Sequence, residues 1–113
     1  MNLSTLLSGS CTGTAAALGD AAAAALLVHV PGWTIVDGKL QRSFGFKNYY
    51  ETMAFVNALA WLSHQQDHHP ELVVNYKDCI ARYNTHSAGG ALSDNDFICA
   101  AKASALYAQR AAP

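Results

Sequence analysis

Charge is scarce in this chain. Asp, Glu, Lys and Arg make up 13% of its 113 residues, about half the share of an ordinary soluble domain. Seven cations against eight anions leave a formal net charge of -1. There is thus no basic field to hold nucleic acid or an anionic lipid surface. Cysteine is also sparse: Cys11, Cys79 and Cys99 are odd in number, widely spaced and without a CxxC. That argues against a disulfide framework and against a cysteine-based zinc site. It fits a reducing cytoplasm, where thiols pack as small apolar groups. No apolar run has the length of a membrane span. The stretch Ala21 to Val30 has the apolarity of a secretion-signal core, but no Lys or Arg precedes Lys39, and Asp20 stands where a signal needs positive charge. A phosphate loop is missing as well. Gly89-Gly90 precedes a helical pattern yet has neither the spacing nor the lysine.

What is present is enough for one domain, read as residues 19–113, behind an N-terminal arm over 1–18. Ser, Thr, Gly and Leu dominate the arm without a clear period, so it is expected to be loosely ordered. Gly19-Asp20 opens an alanine-rich helix, with Asp20 as its cap and Leu26, Leu27, Val28 and Val30 as anchors. Pro31-Gly32 closes it. Asp37-Gly38 between Trp33–Val36 and Lys39–Phe46 is a two-residue hairpin signal. Asn48 with Glu51 three residues later starts a helix that runs to about Gln66. Leu72–Tyr76 and Cys79–Tyr83 read as two more strands, turning at Lys77-Asp78. Ser93 with Asp96 caps a last helix, and Leu92 and Phe97 form its hydrophobic staple. The class is α+β, in the order α-β-β-α-β-β-α. That order implies a four-stranded, mainly antiparallel sheet with helices packed on one face. Trp33, Phe44, Phe46, Phe55 and Tyr76 are assigned to the core. Trp61, on the other flank of its helix, is a candidate for a subunit interface.

Five histidines are many for so short a chain: His29, His64, His68, His69 and His86. All but His29 stand at element ends, where active-site groups are displayed on a rigid scaffold. Imidazole titrates near neutrality, so two of them flanking a flat substrate can act as general acid and general base of an elimination. Asp67 can orient one of them or bond a substrate donor. No serine or cysteine is placed as a nucleophile. Other readings stay open: His29 as an ordinary packed or surface residue, the whole set as structural, or His64, His68 and His86 as a three-histidine zinc site. Spacing on one helix face favours the last, and the lack of an HExxH speaks against it.

At these residues the chain resembles the pterin-4a-carbinolamine dehydratases, also known as dimerisation cofactors of a homeodomain transcription factor. The pattern is His64, then His68-His69-Pro70, then the aromatic Tyr76, then His86. Gly89-Gly90-Ala91-Leu92-Ser93-Asp94-Asn95-Asp96-Phe97 is similar to a second family element. Pro31-Gly32-Trp33, Asp37-Gly38 and Phe44-Gly45-Phe46-Lys47-Asn48 extend the likeness over about residues 20 to 108. The resemblance implies a 4a-hydroxytetrahydrobiopterin dehydratase, a hydro-lyase of pterin recycling that needs no metal or organic cofactor. It implies His68 and His86 as the acid/base pair and His69 as a further catalytic residue that positions the pterin. Asp67, Thr85 and Ser87 would join the three histidines in binding substrate. His64, where many relatives carry Glu, would be a modulator. A homodimer or homotetramer and a functional link to an aromatic amino-acid hydroxylase follow from the same resemblance; the expected cytoplasmic location, without direct nucleic-acid or membrane contact, rests on the cysteines, the charge and the apolar runs described above. The alternative is a non-catalytic dimerisation or assembly partner on this scaffold.

Overall fold

Two tight turns set the sheet. The computed structural model describes residues 1–110; residues 111–113, the end of the domain expected over 19–113, lie outside the described residues. Asp37 and Gly38 take φ of 51° and 76°, the two left-handed residues a type I′ turn requires. The turn pairs β1 (Thr34–Val36) with β2 (Lys39–Gly45), Val36 opposite Lys39. The second hairpin joins β3 (Glu71–Val74) to β4 (Asp78–Tyr83). Its turn lies earlier than Lys77-Asp78. Asn75 closes it, donating from its backbone N–H to Asp78 O at 2.8 Å and from Nδ2 to Asp78 Oδ1 at 2.7 Å. Asp78 is therefore already in the strand. Tyr76 stands outside the core at the turn, 65% exposed. The sheet order is β1-β2-β4-β3, and every neighbouring pair is antiparallel.

Strand alternation selects the buried face. Leu40 and Phe44 of β2 and Ala81 and Tyr83 of β4 join one hydrophobic core with residues of the helices. These helices are α1 (Leu3–Ser8), α2 (Asp20–Leu27), α3 (Tyr49–Gln66) and α4 (Asp94–Ala108). Phe44, wholly buried, meets Phe55, Tyr107 and Trp33 at ring-centroid distances of 4.7, 5.0 and 5.8 Å. Truncating it to alanine costs about 3–5 kcal/mol on the usual scale for such a cavity.

Helix starts follow local chemistry. Asn48 Oδ1 accepts the Glu51 N–H at 2.9 Å, and Ser93 with Asp96 forms a reciprocal capping box. In α2 the cap is Gly19 rather than Asp20, which is the first helical residue, where its carboxylate faces unpaired amides. The arm over residues 1–18 is docked where a loose segment was expected. A capping box between Asn2 and Thr5 starts α1, and Leu6 is fully buried in the common core.

Candidate active site

Two chain reversals bring the histidines together. The first is the end of α3. Asp67 adopts the left-handed conformation, φ 48° and ψ 43°, which costs a non-glycine residue roughly 1 kcal/mol. The turn lets the Asp67 N–H reach the carbonyls of His64 and Ser63, and the His68 N–H donate to Ser63 O at 3.2 Å. The last helical carbonyls are satisfied in this way, and the chain throws His68 back toward α4. Pro70 cannot extend the helix, so the chain enters β3. The second reversal follows β4, where a single 3-10 turn, His86–Ala88, ends on Gly89 with φ 71°. Gly90 also has positive φ, 86°, and only glycine takes two such residues in succession without strain.

His68 is held on a buried acidic support. Its Nε2 donates to Asp96 Oδ1 at 2.7 Å. The His68 side chain is 10% exposed and that of Asp96 is 0%. The other Asp96 oxygen, Oδ2, accepts the Ser93 N–H at 2.9 Å and the Thr85 hydroxyl at 2.8 Å. Because Thr85 spends its proton on Asp96, the 2.7 Å contact between Thr85 Oγ1 and Ser93 Oγ is donated by Ser93. Tyr83 backs the imidazole from β4, stacked at 5.7 Å with 13° between the rings. Burial is the largest influence on His68 and opposes its charge. The hydrogen bond to Asp96, the Asp96 charge, and the fields of Cys11 and Asp67 together outweigh it. The His68 pKa is raised above the ordinary imidazole value.

His69 and His86 are in the opposite condition. Both are exposed, with ring centroids 6.2 Å apart. With His68 they line a cleft of about 210 Å³ that also includes Asp67, Asn84, Thr85, Ser87 and Asn95, and Thr12 and Gly13 of the arm. The cleft thus gathers Asp67, His68, His69, Thr85, His86 and Ser87, all read as site residues from sequence. Thr85 is 2% exposed, and its hydroxyl is committed to Asp96 and Ser93. His64 is outside the cleft, stacked on the exposed Trp61 at 5.7 Å. His29 borders a different hollow, near α1 and α4. Among the described residues no three His, Cys, Asp or Glu side chains converge on a metal position, so His64, His68 and His86 do not form one ligand set. A larger hollow of about 380 Å³, lined by Phe46, Phe55 and Leu106 among others, is mainly apolar and contains no histidine. His68, His69 and His86 are all in the smaller cleft.

A model of the family described as pterin 4 alpha carbinolamine dehydratase matches residues 16–106. The chain belongs to the pterin-4-alpha-carbinolamine dehydratase family. A protein of Stenotrophomonas maltophilia (strain R551-3) carrying the name of that dehydratase is 60% identical over 94 residues, covering 81% of this chain and 80% of its own length. One from Dechloromonas aromatica (strain RCB) is 55% identical over 92 residues and covers 81% of each chain. The crystal structure of a transcriptional coactivator/pterin dehydratase from Brucella melitensis superposes with a TM-score of 0.75 at 29% identity. It covers 80% of this chain and 97% of that one. The dehydratase match spans the three cleft histidines and Asp96 but begins after Thr12 and Gly13. No helix among the described residues is long and apolar enough to cross a membrane.

The sequence reading missed Asp96 as a partner of His68. It identified the residue correctly as a helix cap, and one carboxylate does both jobs. It also missed Tyr83 and Asn95, whose roles depend on packing between distant segments.

Proposed function

We propose that this chain is a hydro-lyase that dehydrates 4a-hydroxytetrahydrobiopterin, or a closely related 4a-hydroxytetrahydropterin, to the quinonoid dihydropterin. The observation that carries the reading is the cleft itself, with a buried, Asp96-bonded His68 beside an open His69–His86 pair. In this elimination the bond from C4a to its hydroxyl breaks, the N5 proton leaves, and a double bond forms between N5 and C4a. Water departs only if its oxygen is protonated, so the reaction calls for one acid and one base.

His68 is the acid. Asp96 favours its protonated form, and with Nε2 committed to Asp96 the remaining ring proton sits on Nδ1, available to the leaving hydroxyl. His86 is the base, on a turn where solvent can carry the N5 proton away. His69, Asp67 and Ser87 position the pterin ring, and Thr85 contributes by holding Asp96. His64, outside the cleft, adjusts the site only at a distance. The same reading has the chain working in the cytoplasm as a homodimer or homotetramer, supplied with substrate by an aromatic amino-acid hydroxylase. Trp61, 63% exposed on α3, is surface that a second copy would cover.

Stopped-flow absorbance of freshly generated 4a-hydroxytetrahydropterin tests the activity. Its decay is expected to accelerate in proportion to protein concentration. Decay at the spontaneous rate at all concentrations would leave the non-catalytic scaffold reading instead.

A further inference from the structure

The arm supplies a wall of the cleft for which the chemistry above has no use. Thr12 and Gly13 line it together with His68, His69 and His86. The wall is built firmly. Leu6 of α1 is fully buried, and Lys102 Nζ donates to Leu7 O at 2.7 Å. The Cys11 N–H donates to Gln66 Oε1 at 2.9 Å, and Cys11 Sγ lies 3.5 Å from Cys99 Sγ. Asn95, 5% exposed in the first turn of α4, then clasps the next residue by both backbone groups. Asn95 Nδ2 donates to Thr12 O at 2.7 Å, and the Thr12 N–H donates to Asn95 Oδ1 at 3.0 Å. A side-chain amide that satisfies both polar groups of one residue fixes its orientation as well as its position. The clasp ties the arm to the start of α4, where Asp96 also sits, and the Cys11–Gln66 bond ties it to the end of α3, just before His68. Held this way, Thr12 Oγ1 and the N–H and C=O of Gly13 have no hydrogen-bond partner among the described residues. Both residues are exposed where they line the cleft, so these groups are open to a polar ligand that enters it.

We propose that Thr12 and Gly13 are specificity-determining residues that hydrogen-bond the heteroatom-rich pterin, and that Asn95 is a positioning residue acting through them. The inference rests on the dehydratase reading. Two variants of the full chain test it. Asn95→Ala removes the clasp but keeps the backbone bond from its N–H to Ser93 Oγ. KM for the 4a-hydroxytetrahydropterin is expected to rise about tenfold with kcat changed less than about twofold, the mark of lost uniform binding. The Thr12 amide should lose its hydrogen-exchange protection. Gly13→Trp places bulk where an added Cβ meets no heavy atom within 4 Å, so the fold should be retained, with an unchanged thermal midpoint, while KM rises. An unchanged KM in both variants would overturn the inference while leaving the dehydratase reading in place. So would a fall in kcat alone for Asn95→Ala, since that would place its effect on Asp96 rather than on the arm. A wild-type chain that neither binds nor dehydrates the pterin would overturn both.

Discussion

His68 and the His69–His86 pair line one cleft and use the same side chain under opposite conditions. His68 is 10% exposed, bonded to a fully buried carboxylate and stacked on Tyr83. His69 and His86 stand in solvent and face each other without a hydrogen bond between them. On the proposed reading, this difference gives one residue type two tasks. A buried acidic partner favours the protonated form of one imidazole and fixes its orientation, whereas the other two are open to water. The buried side should therefore contribute to stability and activity together, and the open side to activity alone.

Asp96→Ala should break the buried side with the largest effect. It removes the His68 partner, the Thr85 acceptor and half of a capping box at once. Breaking such a buried network costs about 3–5 kcal/mol, and urea unfolding measures it. Asp96→Asn, which retains the shape, should lose less. A wild-type urea midpoint for Asp96→Ala would show that the support carries no stability. Next in size, His86→Ala should lower kcat by about 10²–10⁴-fold, the range for removal of a general base. Its unfolding free energy should stay within about 0.5 kcal/mol of wild type. His68→Ala should lower both quantities. The comparison fails if His86→Ala destabilises the fold and His68→Ala leaves it unchanged.

Titration sharpens the contrast further. The His68 pKa is raised in the folded chain, so folding binds its proton more tightly than the unfolded chain does. The stabilisation is fully present below the ordinary imidazole value of about 6.5 and is lost as pH rises through the raised folded value. Urea unfolding in steps upward from pH 6 should show wild type losing stability relative to His68→Gln across that window. A constant difference between the two would mean that Asp96 does not favour the His68 proton.

What was legible in the sequence was local. Asp37-Gly38 specifies its turn by conformation alone, and Asn48 and Ser93 find their partners within one helical turn. The histidine cluster was visible because His68 and His69 are adjacent and Pro70 follows. The support beneath His68 was not, because Asp96 is 28 residues away and already accounted for as a cap. The clasp of Asn95 on Thr12 spans 83 residues, and only packing brings its ends together. Tyr76 was assigned to the core with the other aromatics, at the end of a strand read too long; Asn75, by bonding Asp78, ends the strand before it. The docked arm was hidden because α1 has six residues, too few for a helical period to emerge.

The smallest effect tests the backing of His68. The Tyr83 ring is fully buried, yet its hydroxyl has no hydrogen-bond partner among the described residues. Burial, reinforced by Cys99, Cys11 and Asp96, pushes its pKa well above the ordinary phenol value, so the group is neutral and its cost is that of an unpaired hydroxyl. Such a group costs about 1–3 kcal/mol when left unsatisfied. Tyr83→Phe keeps the ring against His68 and removes only the oxygen. It should stabilise the fold by about 1 kcal/mol, since part of the gain is offset by the small void left behind. A rise in the urea midpoint at unchanged slope checks this. A fall would mean that the oxygen is hydrogen-bonded in solution, and that the buried side of the cleft extends one polar group further than Asp96, Thr85 and Ser93.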